Sequence, residues 1–219
     1  MHVIRTSLIL LLAAALHPAA AQPVTPDPEN GHRLASGGNE RAGPCFTCHG
    51  LHGEGDDANG APRLAGLSAY YIYKQMKNFT EDTRHNDIMT PIAEEMSLQE
   101  WWDVGAFYEG LDTPLPPPPE PNEADMAMLQ RGEEIALHGL PQSGVPACAA
   151  CHGRQGEGAM NSVPYLAGQG RNYMELQFRH WLEGERSNDP VGGMQHIARL
   201  LSPEDVRAVS AWFARQRPE

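Results

Sequence analysis

The chain places all four of its cysteines in two copies of one motif, Cys-x-x-Cys-His, written CFTCH at residues 45–49 and CAACH at 148–152. Two thiols about one helical turn apart can reach the two vinyl groups at one edge of a haem, and the adjacent histidine then lies beneath the iron. The motif therefore predicts two covalently attached haem c groups. Their attachment residues are Cys45, Cys48, Cys148 and Cys151, with His49 and His152 as proximal iron ligands.

Other uses of paired cysteines fit the sequence less well. A zinc ribbon places its two cysteine pairs about 15 to 20 residues apart, whereas 99 residues separate Cys48 from Cys148. A thioredoxin-like redox pair belongs to a strand-rich βαβ setting, and no such pattern is present. Two disulfides stay formally open, as in an exported binding module without haem, but they would leave the histidine after each pair unexplained.

Each iron needs a further ligand on its other face. Methionine supplies the soft, neutral thioether that His/Met cytochromes c use. Of the nine methionines, only Met89 and Met194 align with each other, 40 and 42 residues after the two histidines and in a loop before the last helix of each half. We expect these two residues to be the distal ligands, with Met96 and Met160 as substitutes.

Two histidines compete with these methionines for the distal positions. His85 and His196 are the rival ligands, but neither has a histidine counterpart in the other half of the chain. Exposure to solvent is therefore the expected state of both side chains.

Two matched pairs of residues are candidates for supporting the haems. Pro62 and Pro164 follow the two motifs at matched places, where a proline carbonyl can accept the Nδ1–H of the proximal histidine. Arg84 and Arg186 are candidates for pairing with haem propionates. A surface position fits these arginines nearly as well.

The motifs lie in two halves that repeat each other. At offsets of 102 to 105 residues the halves share the motif, a Leu-Ala-Gly segment, a Tyr-x-x-x-Gln segment and an Arg-x-Asn-Asp segment. Between them lies LDTPLPPPPEPNE, whose prolines cannot continue a helix and favour an extended, semi-rigid spacer. The expected domains are residues 22–112 and 123–219, joined by a proline-rich linker at 113–122.

Helical periodicity runs through both halves, and no stretch alternates at the period of a strand. Each half should contain a helix before the cysteine pair, a second helix after it, and a last helix that begins at a serine N-cap. These helices are expected around 31–36, 69–79 and after Ser97 in the first half, and around 129–138, 173–181 and after Ser202 in the second. The predicted fold class is all-α.

The N-terminus has the features of a cleaved secretory signal. Arg5 precedes a short apolar run from Leu8 to Leu16, and small residues follow at 19–21. The run is too short to span a bilayer, which disfavours an uncleaved anchor. We expect residues 1–21 to be removed and the mature protein to be soluble and exported to the periplasm.

Acidic side chains dominate the mature chain, with 28 acidic and 15 basic groups after removal of residues 1–21. This excess would repel phosphate and argues against a nucleic-acid partner. Residues 22–113 carry 15 of the acidic and 6 of the basic groups, so this half could steer a partner with a basic docking surface. Solubility of an exported protein explains the same acidity equally well.

The motifs together resemble those of the di-haem cytochrome c4 family. Both halves run CxxCH, GEG, LAG, a Tyr-x-x-x-Gln helix, Arg-x-Asn-Asp, a methionine and a serine-capped final helix. The resemblance covers essentially the whole mature chain and is closer in the second half, because Leu67 replaces the glutamine found at Gln169. It implies two tandem class I cytochrome c domains and a periplasmic electron carrier, often delivering to a terminal oxidase and loosely associated with the membrane.

A histidine on one face of each iron and a methionine on the other would leave no place for a substrate. Each iron should therefore only cycle between its ferric and ferrous states. We therefore expect a carrier of single electrons between redox proteins, such as an oxidase and a quinol- or substrate-oxidising complex, and not an enzyme. Two alternatives stay open. One is a cytochrome subunit of a periplasmic dehydrogenase, and the other is a haem enzyme acting on a small inorganic substrate such as thiosulfate or peroxide.

Overall fold

The computed structural model describes residues 24–159, 162–189 and 191–217. The predicted signal peptide at 1–21 and the substitute ligand Met160 lie outside these ranges. Within them the chain forms ten α-helices and no strand, which confirms the all-α prediction. None of the described helices is long and apolar enough to cross a membrane.

Five helices in each half follow the same order along the chain. The first half contains α1 (Pro28–Gly37), α2 (Phe46–His49), α3 (Ala69–Thr80), α4 (Met89–Glu94) and α5 (Leu98–Glu109). The second half contains α6 (Glu123–His138), α7 (Ala149–His152), α8 (Arg171–Glu183), α9 (Gly193–Leu200) and α10 (Pro203–Ala214). Every helix expected from the periodicity is present, and residues 111–122 between the halves contain none.

The short helices α4 and α9 correct one prediction, because the sequence suggested loops at Met89 and Met194. Each methionine instead lies in the first turn of a helix. The side chain of Asn86 accepts a hydrogen bond from the Met89 amide at 2.8 Å, and the side chain of Asp189 accepts one from the Met194 amide. These contacts satisfy amides that have no partner within the first turn, which stabilises a helix too short for periodicity to show.

The last helix of each half begins at the predicted serine. Ser97 accepts from the Glu100 amide while the Glu100 carboxylate accepts from the Ser97 amide at 2.7 Å, a complete capping box. Ser202 accepts from the Asp205 amide at 3.1 Å, and Pro203 occupies the first turn. Both N-cap predictions are confirmed.

The first and last helices of each half cross closely, α1 against α5 and α6 against α10. At each crossing a glycine is required, because a Cβ at Gly31 would lie 2.0 Å from the Asp103 carbonyl oxygen and one at Gly132 would lie 2.2 Å from that of Ala208. Helices α3 and α8 pack on α5 and α10. The apolar clusters between these helices contact Cys45 in the first half and Cys148 in the second, so each core lies against a cysteine motif.

The linker lies against the end of the chain instead of spanning free solvent. Arg217 donates from Nε to the Pro116 carbonyl at 3.0 Å, and Arg215 donates from Nη1 to the Pro119 carbonyl at 2.7 Å. Prolines keep their carbonyl oxygens free of helical hydrogen bonds, so the extended run offers acceptors to these arginines.

Candidate functional site

The two cysteine motifs adopt the same conformation. Helices α2 and α7 each contain one motif, and in each the histidine amide donates to the carbonyl of the first cysteine at 2.9 Å. The first cysteine is half-buried and the second is exposed in both copies. All four thiols are free, so the disulfide alternative finds no support in the structure.

The buried thiols are not activated for redox chemistry. Burial raises the pKa of the Cys45 thiol, and it raises that of Cys148 to about 11. A dithiol that exchanges disulfides needs the opposite shift, because the thiolate is its nucleophile. The cysteine pairs therefore suit covalent attachment of a cofactor better than thiol exchange.

Each histidine predicted to be a proximal ligand is held by the proline predicted for that role. His49 Nδ1 lies 2.9 Å from the Pro62 carbonyl oxygen, and His152 Nδ1 lies 3.2 Å from that of Pro164. A carbonyl can only accept, so Nδ1 carries the proton and the Nε2 lone pair is free for a metal. The two imidazoles are only 6% and 8% exposed, and burial lowers the pKa of both. A neutral imidazole with a free Nε2 is the form that binds haem iron.

The two aligned methionines occupy equivalent places. Met89 and Met194 are both half-buried at the start of α4 and α9, and these helices pack on α3 and α8. Met96, the substitute ligand in the first half, is buried in the apolar core. The assignment of Met89 and Met194 as distal ligands, and of Met96 as a substitute, stays a prediction.

The rival histidines are exposed, as expected. His85 Nε2 lies 3.2 Å from the Asp87 carboxylate on the surface, and His196 is also exposed. In the described ranges no three His, Cys, Asp or Glu side chains converge to hold a metal ion.

Arg84 and Arg186 are buried between the two halves, only 7% and 5% exposed, so a surface position is wrong for both. Each guanidinium donates to the glutamine of its own half and to the tyrosine of the other. The four bonds are Arg84 to Gln75 at 2.8 Å, Arg84 to Tyr173 at 2.8 Å, Arg186 to Gln177 at 2.8 Å and Arg186 to Tyr71 at 3.2 Å. Pairing with haem propionates stays a prediction for these two residues.

A second contact between the halves explains the difference between Gln169 and Leu67. The side-chain amide of Gln169 accepts a hydrogen bond from the Arg63 backbone N–H at 2.8 Å and donates one to the Arg63 carbonyl at 3.0 Å. Leu67, at the matching place in the first half, is buried in the apolar core. The glutamine therefore serves the contact between the halves, which needs it on one side only.

This interface was not among the features predicted from the sequence, although the repeat contains a signal for it. Tyr71 and Gln75 match Tyr173 and Gln177 on one face of equivalent helices. Each tyrosine accepts from the arginine of the opposite half, and each glutamine accepts from the arginines of both halves. Matched polar residues on an otherwise apolar helix face are typical of a symmetric interface.

No family model matches the chain, but curated relatives match most of its length. A thiosulfate dehydrogenase electron acceptor from Stutzerimonas stutzeri (strain A1501) is 41% identical over 185 residues, 81% of this chain and 81% of the relative. A cytochrome c4 from Thiocapsa roseopersicina is 36% identical over 197 residues, 89% of this chain and 95% of the relative.

Solved structures agree with these relatives. Reduced cytochrome c4 from Pseudomonas stutzeri superposes with a TM-score of 0.76 at 26% identity, covering 88% of this chain and 100% of that one. A thiosulfate dehydrogenase from Marichromatium purpuratum superposes with a TM-score of 0.78 at 34% identity, covering 86% of this chain. The match spans 40% of the longer dehydrogenase chain. The predicted fold of two tandem cytochrome c domains is thereby confirmed.

Proposed function

The chain belongs to the di-haem cytochrome c4 family, and on this premise we propose that it accepts single electrons from a periplasmic thiosulfate dehydrogenase and passes them towards a terminal oxidase. Family membership makes it a di-haem electron-transfer cytochrome with two covalently attached haem c groups. The identity of the electron donor, that of the electron acceptor and the periplasmic location are what we propose.

One observation carries the assignment of the donor. The relative from Stutzerimonas stutzeri, at 41% identity, is an electron acceptor of thiosulfate dehydrogenase. The Marichromatium structure supports the same pairing, because part of that thiosulfate dehydrogenase chain, 40% of its length, superposes on this chain. In this protein the corresponding portion would receive electrons from a separate enzyme. The alternative of a cytochrome that serves a periplasmic dehydrogenase is therefore preferred, with the dehydrogenase as a separate polypeptide.

The residues proposed to hold the haems are those with matched environments in both halves. They are Cys45, Cys48, His49 and Met89 for the first haem and Cys148, Cys151, His152 and Met194 for the second. Haem c supplies an iron that exchanges one electron between its ferric and ferrous states. The chain supplies the covalent attachment, a histidine fixed by a proline carbonyl, and an apolar surrounding that excludes water. With two protein ligands for each iron, the chain acts as a carrier and not as a catalyst.

The test is reduction of the purified di-haem protein by a purified thiosulfate dehydrogenase. Thiosulfate and a catalytic amount of the enzyme are mixed with the ferric cytochrome, and the ferrous absorption bands are followed by stopped flow. We expect reduction of both haems at a rate proportional to enzyme concentration, and reoxidation when a terminal oxidase is added.

Omission controls decide between the alternatives. Reduction by thiosulfate without the dehydrogenase would support the haem-enzyme alternative. Failure of the dehydrogenase to reduce the cytochrome, while a quinol-oxidising complex does so, would contradict the proposed donor and leave a general carrier, as the cytochrome c4 relative suggests.

A further inference from the structure

The last helix of each half places an aromatic ring at the same point, but only one ring carries a hydroxyl. Tyr108 on α5 and Phe213 on α10 occupy matching positions of the repeat. Their carbonyls accept from the amides of Gly66 and Gly168, at 2.9 and 3.0 Å. The two backbones are therefore equivalent, and the side chains can be compared directly.

The rings themselves are also equivalently placed. A Cβ at Gly53 would lie 2.9 Å from Tyr108 Cδ1, and one at Gly156 would lie 2.8 Å from Phe213 Cδ1. Both glycines have positive φ, 68° and 86°. These glycines follow the proximal histidines by four residues, so each ring packs against the segment that carries the haem motif.

The hydroxyl of Tyr108 is buried and has no partner. Tyr108 is 1% exposed, and its oxygen makes no hydrogen bond of normal geometry within the described chain. An unsatisfied buried hydroxyl costs free energy, so a group that completes it is expected. At the equivalent place in the second half Phe213 has no hydroxyl, and the unpaired buried hydroxyl described there belongs to Ser210, elsewhere on α10.

Cys45, the first cysteine of the haem motif, packs against the apolar cluster that contains Tyr108. Burial and then the neighbouring Cys45 raise the pKa of Tyr108, so the phenol stays protonated and can only act as a neutral donor or acceptor. In the second half Cys148 packs against the apolar cluster that contains Phe213. The surroundings of the two first cysteines therefore differ in the Tyr108 hydroxyl, which Phe213 lacks, and in a contact of the Cys148 thiol with the Ile135 carbonyl at 3.9 Å.

We propose that the Tyr108 hydroxyl donates a hydrogen bond to the Cys45 sulfur when that sulfur carries the first haem, and that this bond raises the reduction potential of the first haem. A hydrogen bond donated to the Cys45 sulfur would place the positive end of the O–H dipole next to an attached haem and would stabilise its reduced state, which holds one more electron. Phe213 gives the second haem no such contribution. When the protein holds one electron, Tyr108 thereby increases the fraction of molecules in which the first haem is the reduced one.

The inference rests on the proposed attachment of haem at Cys45, and the duplicated domain supplies its own test. Tyr108→Phe removes only the hydroxyl, and Phe213→Tyr introduces one at the equivalent place in the other half. Both haem potentials of each variant are measured by spectroelectrochemical titration and assigned through the haem methyl signals in nuclear magnetic resonance spectra. Resonance Raman spectra in H2O and D2O report the carbon–sulfur vibration of the thioether.

We expect Tyr108→Phe to lower the potential of the first haem alone and to change the distribution of one electron between the haems roughly two- to fivefold. The wild-type carbon–sulfur band should shift in D2O, and the variant band should not. Phe213→Tyr should raise the potential of the second haem. As a control, Tyr73→Phe changes a tyrosine that stacks on Trp102 at 4.5 Å in the same half and should alter neither potential.

Two failures are distinguishable. If peptide mass analysis shows haem at Cys45 but Tyr108→Phe changes neither the potentials nor the isotope-sensitive band, the hydroxyl has another partner and the inference is overturned. If no haem is found at Cys45, the proposed attachment itself is wrong.

Discussion

Arg84 and Arg186, one from each domain, pair their backbones in an antiparallel bridge across the domain interface. Their guanidiniums lie over Phe79 and Trp181 of their own domains, 4.6 and 4.3 Å from the ring centroids. Among the residues that the structure describes, no carboxylate forms an ion pair with either arginine. Two buried positive charges are therefore held by neutral oxygens and aromatic faces, which makes their contacts across the interface costly to lose.

The first prediction concerns this pair. Arg186→Gln removes the donors to Gln177 and Tyr71 and should lower the free energy of unfolding by about 2 to 3 kcal/mol, because hydrogen bonds from a charged group are lost in a buried network. Urea titration followed by circular dichroism measures the loss. Arg33→Gln, at an exposed position, is the charge-matched control. Equal effects of the two substitutions would show that the interface network contributes nothing.

The second prediction concerns the distal ligands. Ferric haem with a methionine ligand has a sulfur-to-iron charge-transfer band, so Met89→Ala and Met194→Ala should each remove about half of its intensity. Absorption spectra of the ferric protein measure it. Met96→Ala should destabilise the first domain by about 2 to 5 kcal/mol, because Met96 is buried in its core, while leaving the band intact. Loss of half the band in Met96→Ala instead of Met89→Ala would reverse the assignment.

Local signals predicted much of this structure. The serine caps at Ser97 and Ser202 depend on a side chain and an amide three residues apart, and the haem motif depends on five consecutive residues. The carbonyl roles of Pro62 and Pro164 followed from the repeat, since each half served as a check on the other.

Features that depend on three-dimensional neighbours were not predictable in the same way. Helix α4 spans six residues, too few for periodicity, and it depends on a hydrogen bond that the Met89 amide donates to the Asn86 side chain. The tyrosine partners of Arg84 and Arg186 lie in the opposite domains, so these contacts depend on an orientation that neither half encodes alone. Burial of the Tyr108 hydroxyl depends on tertiary packing, which no local pattern of the sequence shows.

The third prediction concerns Gln169. Gln169→Leu should lower the free energy of unfolding by about 2 kcal/mol, since it leaves the Arg63 N–H and carbonyl buried without partners. Differential scanning calorimetry, with haem content matched, measures the effect. Gln155→Leu, at an exposed position in the same domain, should change stability by no more than about 0.5 kcal/mol. A Gln169 variant as stable as the Gln155 variant would contradict the role assigned to this contact.

The last prediction concerns acid stability and the contact between α6 and α10. Arg131 donates from Nε to the Asp205 carboxylate at 2.9 Å, and the Ser202 hydroxyl donates to it at 2.9 Å. Burial opposes ionisation of Asp205, but these hydrogen bonds outweigh burial and hold its pKa below the ordinary value of 3.8. The unfolded chain therefore binds more protons than the folded one as the pH falls through this range, so the stabilisation is present above about pH 4 and is lost below it.

Asp205→Asn should accordingly lower the free energy of unfolding by about 1 kcal/mol at pH 7. The difference should shrink as the pH falls through the folded pKa of Asp205, because the wild type loses the same contact there. Thermal unfolding at a series of pH values between 2 and 7 measures the difference. Asp112→Asn, which removes an exposed carboxylate from the first domain, should give a nearly constant difference from the wild type over this range. A constant difference for Asp205→Asn as well would show that the Arg131 contact does not depend on ionised Asp205, and that α10 is held on α6 by packing alone.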